Sequence, residues 1–197
     1  MKRNTKELIL EKGAEIIQLK GFHHTGIQEI LHAAEVPKGS FYFYFKSKED
    51  FGLQLVDFYS RFFLNSADTF FKDNSCSYLQ RLVKFFNNYQ KHIEKSNYIV
   101  GCPIGNLAQE LGDINILFRG KLNDVMSKMK DRIRAFLSHA QQHGELAQEI
   151  NINNIADFIF NSWEGALLRT KVTKNSEPLL VFNKMIFETL LSNHSAK

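Results

Sequence analysis

The chain has 197 residues and a formal net charge of +4, and 44% of its residues are hydrophobic. This length provides a core for one or two domains, and no apolar run approaches the ~20 residues that a bilayer-spanning helix requires. The charged N-terminus is not followed by the apolar segment of a signal peptide, so we expect a cytoplasmic protein with no membrane partner. Cys76 and Cys102, the two cysteines, are then expected to be reduced thiols.

The chain has three prolines and little strand-like alternation, which favours an all-α fold. A first helix is predicted from about Thr5 to Lys20, with Gly21 as its C-cap. A second helix is predicted to begin at Thr25, because Thr25 and Gln28 have the spacing of a capping box. Pro37 then breaks the pattern and is expected at the first position of the next helix.

An aromatic run from Phe41 to Phe45 follows in that short helix. Phe41 and Phe45 are one helical turn apart and are expected to face inward together, whereas the residues between them cannot all join them. The outer face is then suited to contact, as in helix-turn-helix modules that place such a helix in the DNA major groove. A core turn rich in aromatic residues is the alternative, but it leaves the surplus aromatic side chains and the nearby lysines unexplained.

Eight residues of this stretch are assigned to DNA contact: Thr25, Lys38, Gly39, Ser40, Tyr42, Phe43, Tyr44 and Lys48. The residues assigned to the groove and its bases are Lys38, Ser40 and Phe43, whereas those assigned to phosphates are Tyr42, Tyr44 and Lys48. Gly39 lets the backbone approach closely. Lys48 lies in the first turn of the following helix, where free backbone N–H groups favour an anion such as phosphate.

The pattern Gly39-x-Phe41-Tyr42-x-Tyr44-Phe45-x-x-Lys48 resembles the signature of the tetracycline-repressor (TetR) family of bacterial regulators. The resemblance covers roughly residues 5 to 55. At the position of Tyr44 many family members carry histidine, and a tyrosine hydroxyl can also reach a phosphate. The resemblance implies a three-helix, helix-turn-helix DNA-binding domain over residues 1–47. A helical ligand-binding and dimerisation domain is expected over residues 48–197.

In the second domain, Ser47 is expected to cap a long helix that ends near Phe71 and carries Phe58 and Phe62 on an apolar stripe. Asp113 is expected to cap another long helix. The remaining helices are predicted at about 77–94, up to 112, 113–143, 153–171 and 176–192.

The last of these helices is apolar on two sides, one with Leu179 and Phe182 and the other with Val181 and Met185. A core needs only one apolar face, so the second indicates a partner. In the TetR family the last two helices usually form a four-helix dimer interface, and the resemblance therefore implies a homodimer.

The segment Gly-Cys-x-x-Gly-Asn-Leu around Cys102 resembles a TetR subgroup whose ligand domain carries a cysteine at this point. Some relatives of that type sense electrophiles or oxidants through such a cysteine. Free N–H groups at a helix start would lower the pKa of the thiol, and Lys171 or Lys174 would help if either lies nearby. The alternative is an inert, buried cysteine, and the two interpretations remain open.

Six residues are assigned to ligand binding or sensing: Cys102, Asn106, Phe58, Phe62, Tyr89 and Trp163. The aromatic residues among them also suit a packed core, and Asn106 also suits an ordinary helix position.

The histidines lack paired metal spacing, and no glycine-rich phosphate loop or paired-carboxylate motif occurs, so we predict no metal, cofactor or catalytic residue. The sequence thus predicts a repressor that binds a palindromic double-stranded DNA operator as a homodimer and responds to a small-molecule or electrophilic inducer. A thiol enzyme centred on Cys102 is the main rival, and it would need a base and an orienting group near that residue. A helical interaction protein without a DNA role is the third possibility. Salt-sensitive, sequence-dependent DNA binding separates the repressor from both rivals.

Overall fold

The computed structural model describes residues 4–192, and over this range the prediction of an all-α fold is confirmed. The final α-helix continues directly into a π-helical segment, Lys184–Leu190. The α-helices, in chain order, are α1 Thr5–Lys20, α2 Ile27–Ala33, α3 Ser40–Tyr44, α4 Lys48–Phe71, α5 Tyr78–Lys95, α6 Pro103–Leu111, α7 Ile116–Gln142, α8 Ile152–Thr173 and α9 Glu177–Asn183.

The predicted capping role of Thr25 is wrong. Helix α2 has Gly26 as its N-cap, with no side-chain hydrogen bond at that position. The Thr25 hydroxyl instead donates to the carbonyl oxygen of Gly21 at 2.7 Å. This carbonyl lies just after α1, where backbone acceptors have no partner within the helix, so the threonine satisfies the end of one helix instead of the start of the next.

Two other predicted helix starts also differ. Asn115, not Asp113, caps α7, because its Oδ1 accepts hydrogen bonds from the N–H groups of Leu117 and Phe118 at 2.9 and 3.1 Å. Pro37 lies before α3 and not in it. Its carbonyl accepts a hydrogen bond from Ser40 N–H at 2.9 Å, which closes the turn that leads into the helix.

The chain forms two compact units. The first consists of the chain up to Arg61 together with Pro103–Val125, and the second consists of Phe62–Cys102 together with the chain from Met126 onward. Helices α4 and α7 each begin in the first unit and end in the second.

The core of the first unit depends on phenylalanine rings that pack against helix backbone at two glycines. A Cβ atom added to Gly13 of α1 would lie 2.4 Å from the Phe51 ring. A Cβ atom added to Gly52 of α4 would lie 2.5 Å from Phe22 and 2.6 Å from Phe118. The Phe22 and Phe118 rings meet edge to face, with centroids 5.4 Å apart. Both positions require glycine because a methyl group would occupy the space of an aromatic ring.

The second unit has its own aromatic core, in which Trp163 of α8 lies against Phe86 of α5 and Phe182 of α9, with ring centroids 4.8 and 5.0 Å apart. Other apolar side chains of α8, α9 and the π-helical segment face solvent. These are Phe158, Leu168, Val172, Leu180, Val181 and Met185. The predicted second apolar side of the last helix is therefore present.

None of the helices within residues 4–192 is both long enough and apolar enough to span a membrane.

We expect Gly52→Ala to destabilise the protein, because overpacking a close-packed site typically costs about 1–3 kcal/mol. Gly120→Ala in α7 is the matched control, since an added Cβ there meets no atom within 4 Å. Alanine is favoured over glycine in a helix by about 1 kcal/mol, so this control should be slightly more stable than the wild type. Urea unfolding of the three proteins measures both effects, and equal stability of the two variants would contradict the close packing at Gly52.

Candidate nucleic-acid interface and thiol site

Helix α3 is anchored by two phenylalanines that face inward as predicted. Phe41 is 0% exposed and Phe45 is 1% exposed. Both rings pack against Phe51 of α4, with centroid distances of 5.8 and 5.1 Å. On the opposite side, Tyr42 is 64% exposed and Phe43 is 82% exposed. An apolar side chain as exposed as Phe43 costs solubility, so this face is suited to contact with another molecule.

The other predicted contact residues surround this face, with one exception. Lys38 and Gly39 are exposed, and Ser40 and Tyr44 are half-buried. Thr25 is the exception, because it is 1% exposed and its hydroxyl is used within the fold. Its side chain therefore has a structural role here.

Neither backbone conformation nor packing explains the glycine at position 39. Gly39 has φ of −66°, which any residue adopts. A Cβ atom added there would meet no atom within 4 Å. Glycine at this position therefore leaves open space beside the backbone, which another molecule could approach closely.

Lys48 stands at the first position of α4, as predicted, and already has partners within the first unit. Its Nζ donates to the carbonyl oxygen of His23 at 3.2 Å and lies 4.8 Å from the centroid of the Phe22 ring. Burial lowers the pKa of the Lys48 ammonium, and the negative charge of Glu110 acts in the opposite direction. Since an ammonium has three N–H donors, the bond to His23 leaves donors for a phosphate.

Glu110 of α6 was not identified from the sequence. Its Oε2 accepts a hydrogen bond from Phe22 N–H at 2.8 Å, and its Oε1 accepts one from His23 N–H at 2.7 Å. The two partners are 88 and 87 residues away along the chain, so no local pattern indicates the contact. The carboxylate thus holds the segment against which Lys48 lies.

The thiol site lies in the second unit, where Cys102 is 5% exposed and directly precedes α6. Its thiol is hydrogen-bonded to the carboxyl group of Glu164 in α8. Burial raises the pKa of Glu164, and the bond to Cys102 partly offsets this. Burial also raises the pKa of Tyr89, and the nearby Cys102 and Glu164 act in the same direction. Two ionisable side chains near the thiol, Glu164 and Tyr89, are therefore acids whose neutral forms are favoured.

The prediction that Lys171 or Lys174 lies near Cys102 and stabilises the thiolate stays a prediction. Lys174 donates to the carbonyl oxygen of Tyr98 at 3.1 Å, four residues before the cysteine in the sequence. Glu164 was not singled out from the sequence, and burial favours the neutral form of its carboxyl group. Its Oε1 is buried and has no hydrogen-bond partner among residues 4–192. A buried acceptor without a partner is energetically costly.

The remaining predicted ligand residues fall into both units. Tyr89 and Trp163 lie together in the second unit, with ring centroids 5.6 Å apart. Phe58 is buried and Asn106 is half-buried, and both belong to the first unit. Among residues 4–192, no group of three or more histidine, cysteine, aspartate or glutamate side chains is arranged to hold a metal ion.

The placement of Phe62 on the inward stripe of α4 is wrong, because its side chain is 64% exposed. The neighbouring Phe63 packs inward and meets Phe85 edge to face at 5.3 Å. The buried side of α4 therefore passes through Phe63 and not Phe62 in this part of the helix, where Phe85 of α5 packs against it.

Two family models match the chain. The model described as "Bacterial regulatory proteins, tetR family" matches residues 9–55, and "Tetracyclin repressor-like, C-terminal domain" matches residues 79–186. Together they include both the exposed face of α3 and the thiol site.

Three transcriptional regulators are similar to this chain over most of their own lengths. The transcriptional regulator AcuR of Cereibacter sphaeroides is 36% identical over 89% of this chain and 80% of its own. The transcriptional repressor DhaR of Mycobacterium sp. is 31% identical over 94% of this chain and 92% of its own. The crystal structure of Escherichia coli NemR in its reduced form has a TM-score of 0.85 and 25% identity, covering 93% of this chain and 95% of that one.

Replacing Glu164 by glutamine should make stability less dependent on pH. Because the pKa of Glu164 is raised in the folded protein, the wild type loses stability as the pH rises above the ordinary value of 4.5 and the buried group must ionise. We therefore expect Glu164→Gln to gain stability relative to the wild type as the pH rises above 4.5. Thermal unfolding across this range measures the gain, with Glu149→Gln, which changes an exposed carboxylate, as the control. A constant difference between wild type and Glu164→Gln would contradict the buried carboxyl.

Proposed function

The chain belongs to the TetR family of bacterial transcriptional regulators, and we propose that it represses transcription from a palindromic operator until a small molecule or electrophile releases it. Its relatives are regulators, so the chain is a ligand-responsive, DNA-binding repressor and not an enzyme. The observation that carries the proposal is the exposed face of α3, with Tyr42 and Phe43 held outward by the buried Phe41 and Phe45.

The proposed DNA-binding domain is residues 1–47, followed by a ligand-binding and dimerisation domain over residues 48–197. In the first, α3 enters the major groove, where Lys38, Ser40 and Phe43 face base edges. The phosphates are contacted by Tyr42, Tyr44 and Lys48. Gly39, which nothing in the fold requires to be glycine, gives the DNA backbone room to approach.

The proposed dimer forms through α8 and α9. Val172 is 75% exposed, and Leu180 and Val181 are 57% and 56% exposed. Six large apolar side chains exposed on α8, α9 and the π-helical segment that follows would be a liability in a monomer, and a second copy that presents the same surface removes them from water. Two-fold symmetry then sets two copies of α3 on half-sites separated by about one helical turn or somewhat more.

Phe43→Ala should change the preferred operator sequence more than the affinity, because an apolar side chain in the groove reads thymine methyl groups. Tyr42→Ala is the matched control on the same helix. It should weaken binding to all sequences alike, since a phosphate contact carries no sequence information.

Selection of operators from a random duplex library by the wild type and both variants provides the measurement. If the wild type recovers no palindrome, the proposed operator is wrong. If Phe43→Ala and Tyr42→Ala select the same sequences as the wild type, the assignment of Phe43 to bases is wrong.

The proposed signal acts at Cys102, in the segment that resembles the cysteine-bearing subgroup. The contact with Glu164 supports this role. When the sulfur adds to an electrophilic carbon of a quinone, a carbon–sulfur bond forms, a carbon–carbon π bond of the quinone breaks and its electron pair moves to the quinone oxygen, while the thiol loses its proton. The ionised Glu164 carboxylate accepts that proton and passes a proton on to the quinone oxygen, so Glu164 acts as the base and then as the acid of the addition.

Release from DNA requires that the modified or ligand-bound protein disfavour the DNA-binding conformation. Added bulk inside a close-packed unit is not absorbed locally and costs about 1–3 kcal/mol. The proposal is that this strain changes the tilt of α4, the helix that begins at Lys48, and so the separation of the two α3 helices. A noncovalent inducer held by Tyr89 and Trp163 in the second unit is the alternative, in which Cys102 serves only as packing.

Cys102→Ser should bind the operator as the wild type does but should not be released by a quinone. Cys76→Ser is the matched control, because Cys76 is a half-buried thiol outside this site. It should be released as readily as the wild type. Operator binding by fluorescence anisotropy, with and without the quinone, measures both, and release of Cys102→Ser at wild-type quinone concentrations would show that the thiol is not the sensor.

A further inference from the structure

We propose that Glu110 is a positioning residue for DNA binding, which holds the segment after α1 in the conformation that presents Lys48 to a DNA phosphate. Glu110 does not contact the nucleic acid in this role. It acts through Phe22 and His23, which lie between the carboxylate and the lysine.

The first step is the bond between the carboxylate and the backbone. Each oxygen of Glu110 accepts one N–H, from Phe22 at 2.8 Å and from His23 at 2.7 Å. Hydrogen bonds to an ionised acceptor are stronger than neutral ones, and two of them in parallel also fix orientation. Two consecutive peptide groups are therefore held in one geometry.

The second step leads from these peptides to the lysine. The His23 carbonyl oxygen accepts a hydrogen bond from Lys48 Nζ at 3.2 Å. The same ammonium lies 4.8 Å from the centroid of the Phe22 ring, within the range of a cation–π interaction. The two residues whose N–H groups Glu110 binds are thus the two residues that fix the ammonium of Lys48.

A third observation shows that this segment is shaped around the carboxylate. Gly21 has φ of +85°, a conformation that side-chain-bearing residues rarely adopt. A Cβ atom added to Gly21 would also lie 3.1 Å from Glu110 Oε2. The glycine lets the chain turn so that successive N–H groups point at one acceptor.

The direction in which DNA affinity changes when Glu110 is replaced distinguishes a positioning role from a purely electrostatic one. Glu110 is a negative charge near a lysine that faces DNA, so its removal would strengthen binding to a polyanion if charge alone mattered. If Glu110 positions Lys48, its removal weakens binding, because the lysine then loses its fixed geometry.

The test is operator binding by Glu110→Gln across a range of salt concentrations. Glutamine has the same shape but offers one acceptor and places an NH2 group against a backbone N–H. We expect the affinity for the operator to fall on the order of tenfold. The magnitude of the slope of log affinity against log salt concentration should decrease by about one for each protomer, as for the loss of one phosphate contact.

Glu145→Gln is the matched control, because Glu145 makes the same kind of contact in the second unit. Its two oxygens accept the N–H groups of Tyr78 and Leu79 at 2.8 and 2.9 Å. This variant should lose a comparable amount of stability and keep the wild-type affinity and salt slope. Tighter or unchanged binding by Glu110→Gln, or an equal loss in both variants, would overturn the proposal.

A double-mutant cycle with Lys48→Ala tests whether Glu110 affects DNA affinity through Lys48. If Glu110 acts through Lys48, Glu110→Gln should have little further effect on affinity in the Lys48→Ala background. An equally large effect in both backgrounds would overturn it. Should Glu110→Gln fail to fold, Glu110→Asp keeps the charge but shortens the reach, and the same comparison with Lys48→Ala applies to it.

Discussion

The burial of Phe41, Phe45 and Phe51 in one cluster is the constraint on which the rest of the DNA-binding region depends. Phe41 and Phe45 occupy the inner side of α3, a helix of only five residues. Too few positions remain for a second core-facing stripe, so Tyr42 and Phe43 must face outward. The short helix is held by tertiary packing and not by its own hydrogen bonds, since a helix of this length is not stable alone.

Carboxylates that bind pairs of backbone N–H groups recur in this fold. Glu110 binds Phe22 and His23 in the first unit, and Glu145 binds the start of α5 in the second. In both cases a charged side chain satisfies donors that secondary structure leaves unpaired. Such contacts fix the position of irregular segments as firmly as helix packing fixes the helices.

The thiol site follows a different principle, because Glu164 and Tyr89 are enclosed and burial disfavours their charged forms. Glu164 has one buried oxygen that finds no partner in the described part of the chain, and its pKa is raised by burial. A carboxyl group in this state accepts a proton more readily than an exposed one, which suits it to take the proton of a reacting thiol. The Tyr89 hydroxyl, whose pKa is also raised, remains neutral beside it.

The sequence by itself determined the helices and the outward face of α3. Apolar spacing depends only on residues three or four positions apart, and this local information correctly gave α1, the end of α4 at Phe71 and the inward Phe41 and Phe45. The tertiary structure alone decided that Phe62 is exposed and that Glu110 and Glu164 have their present partners. These features depend on which segments meet after folding, and contacts between residues some 60 to 90 positions apart leave no periodic trace in the chain.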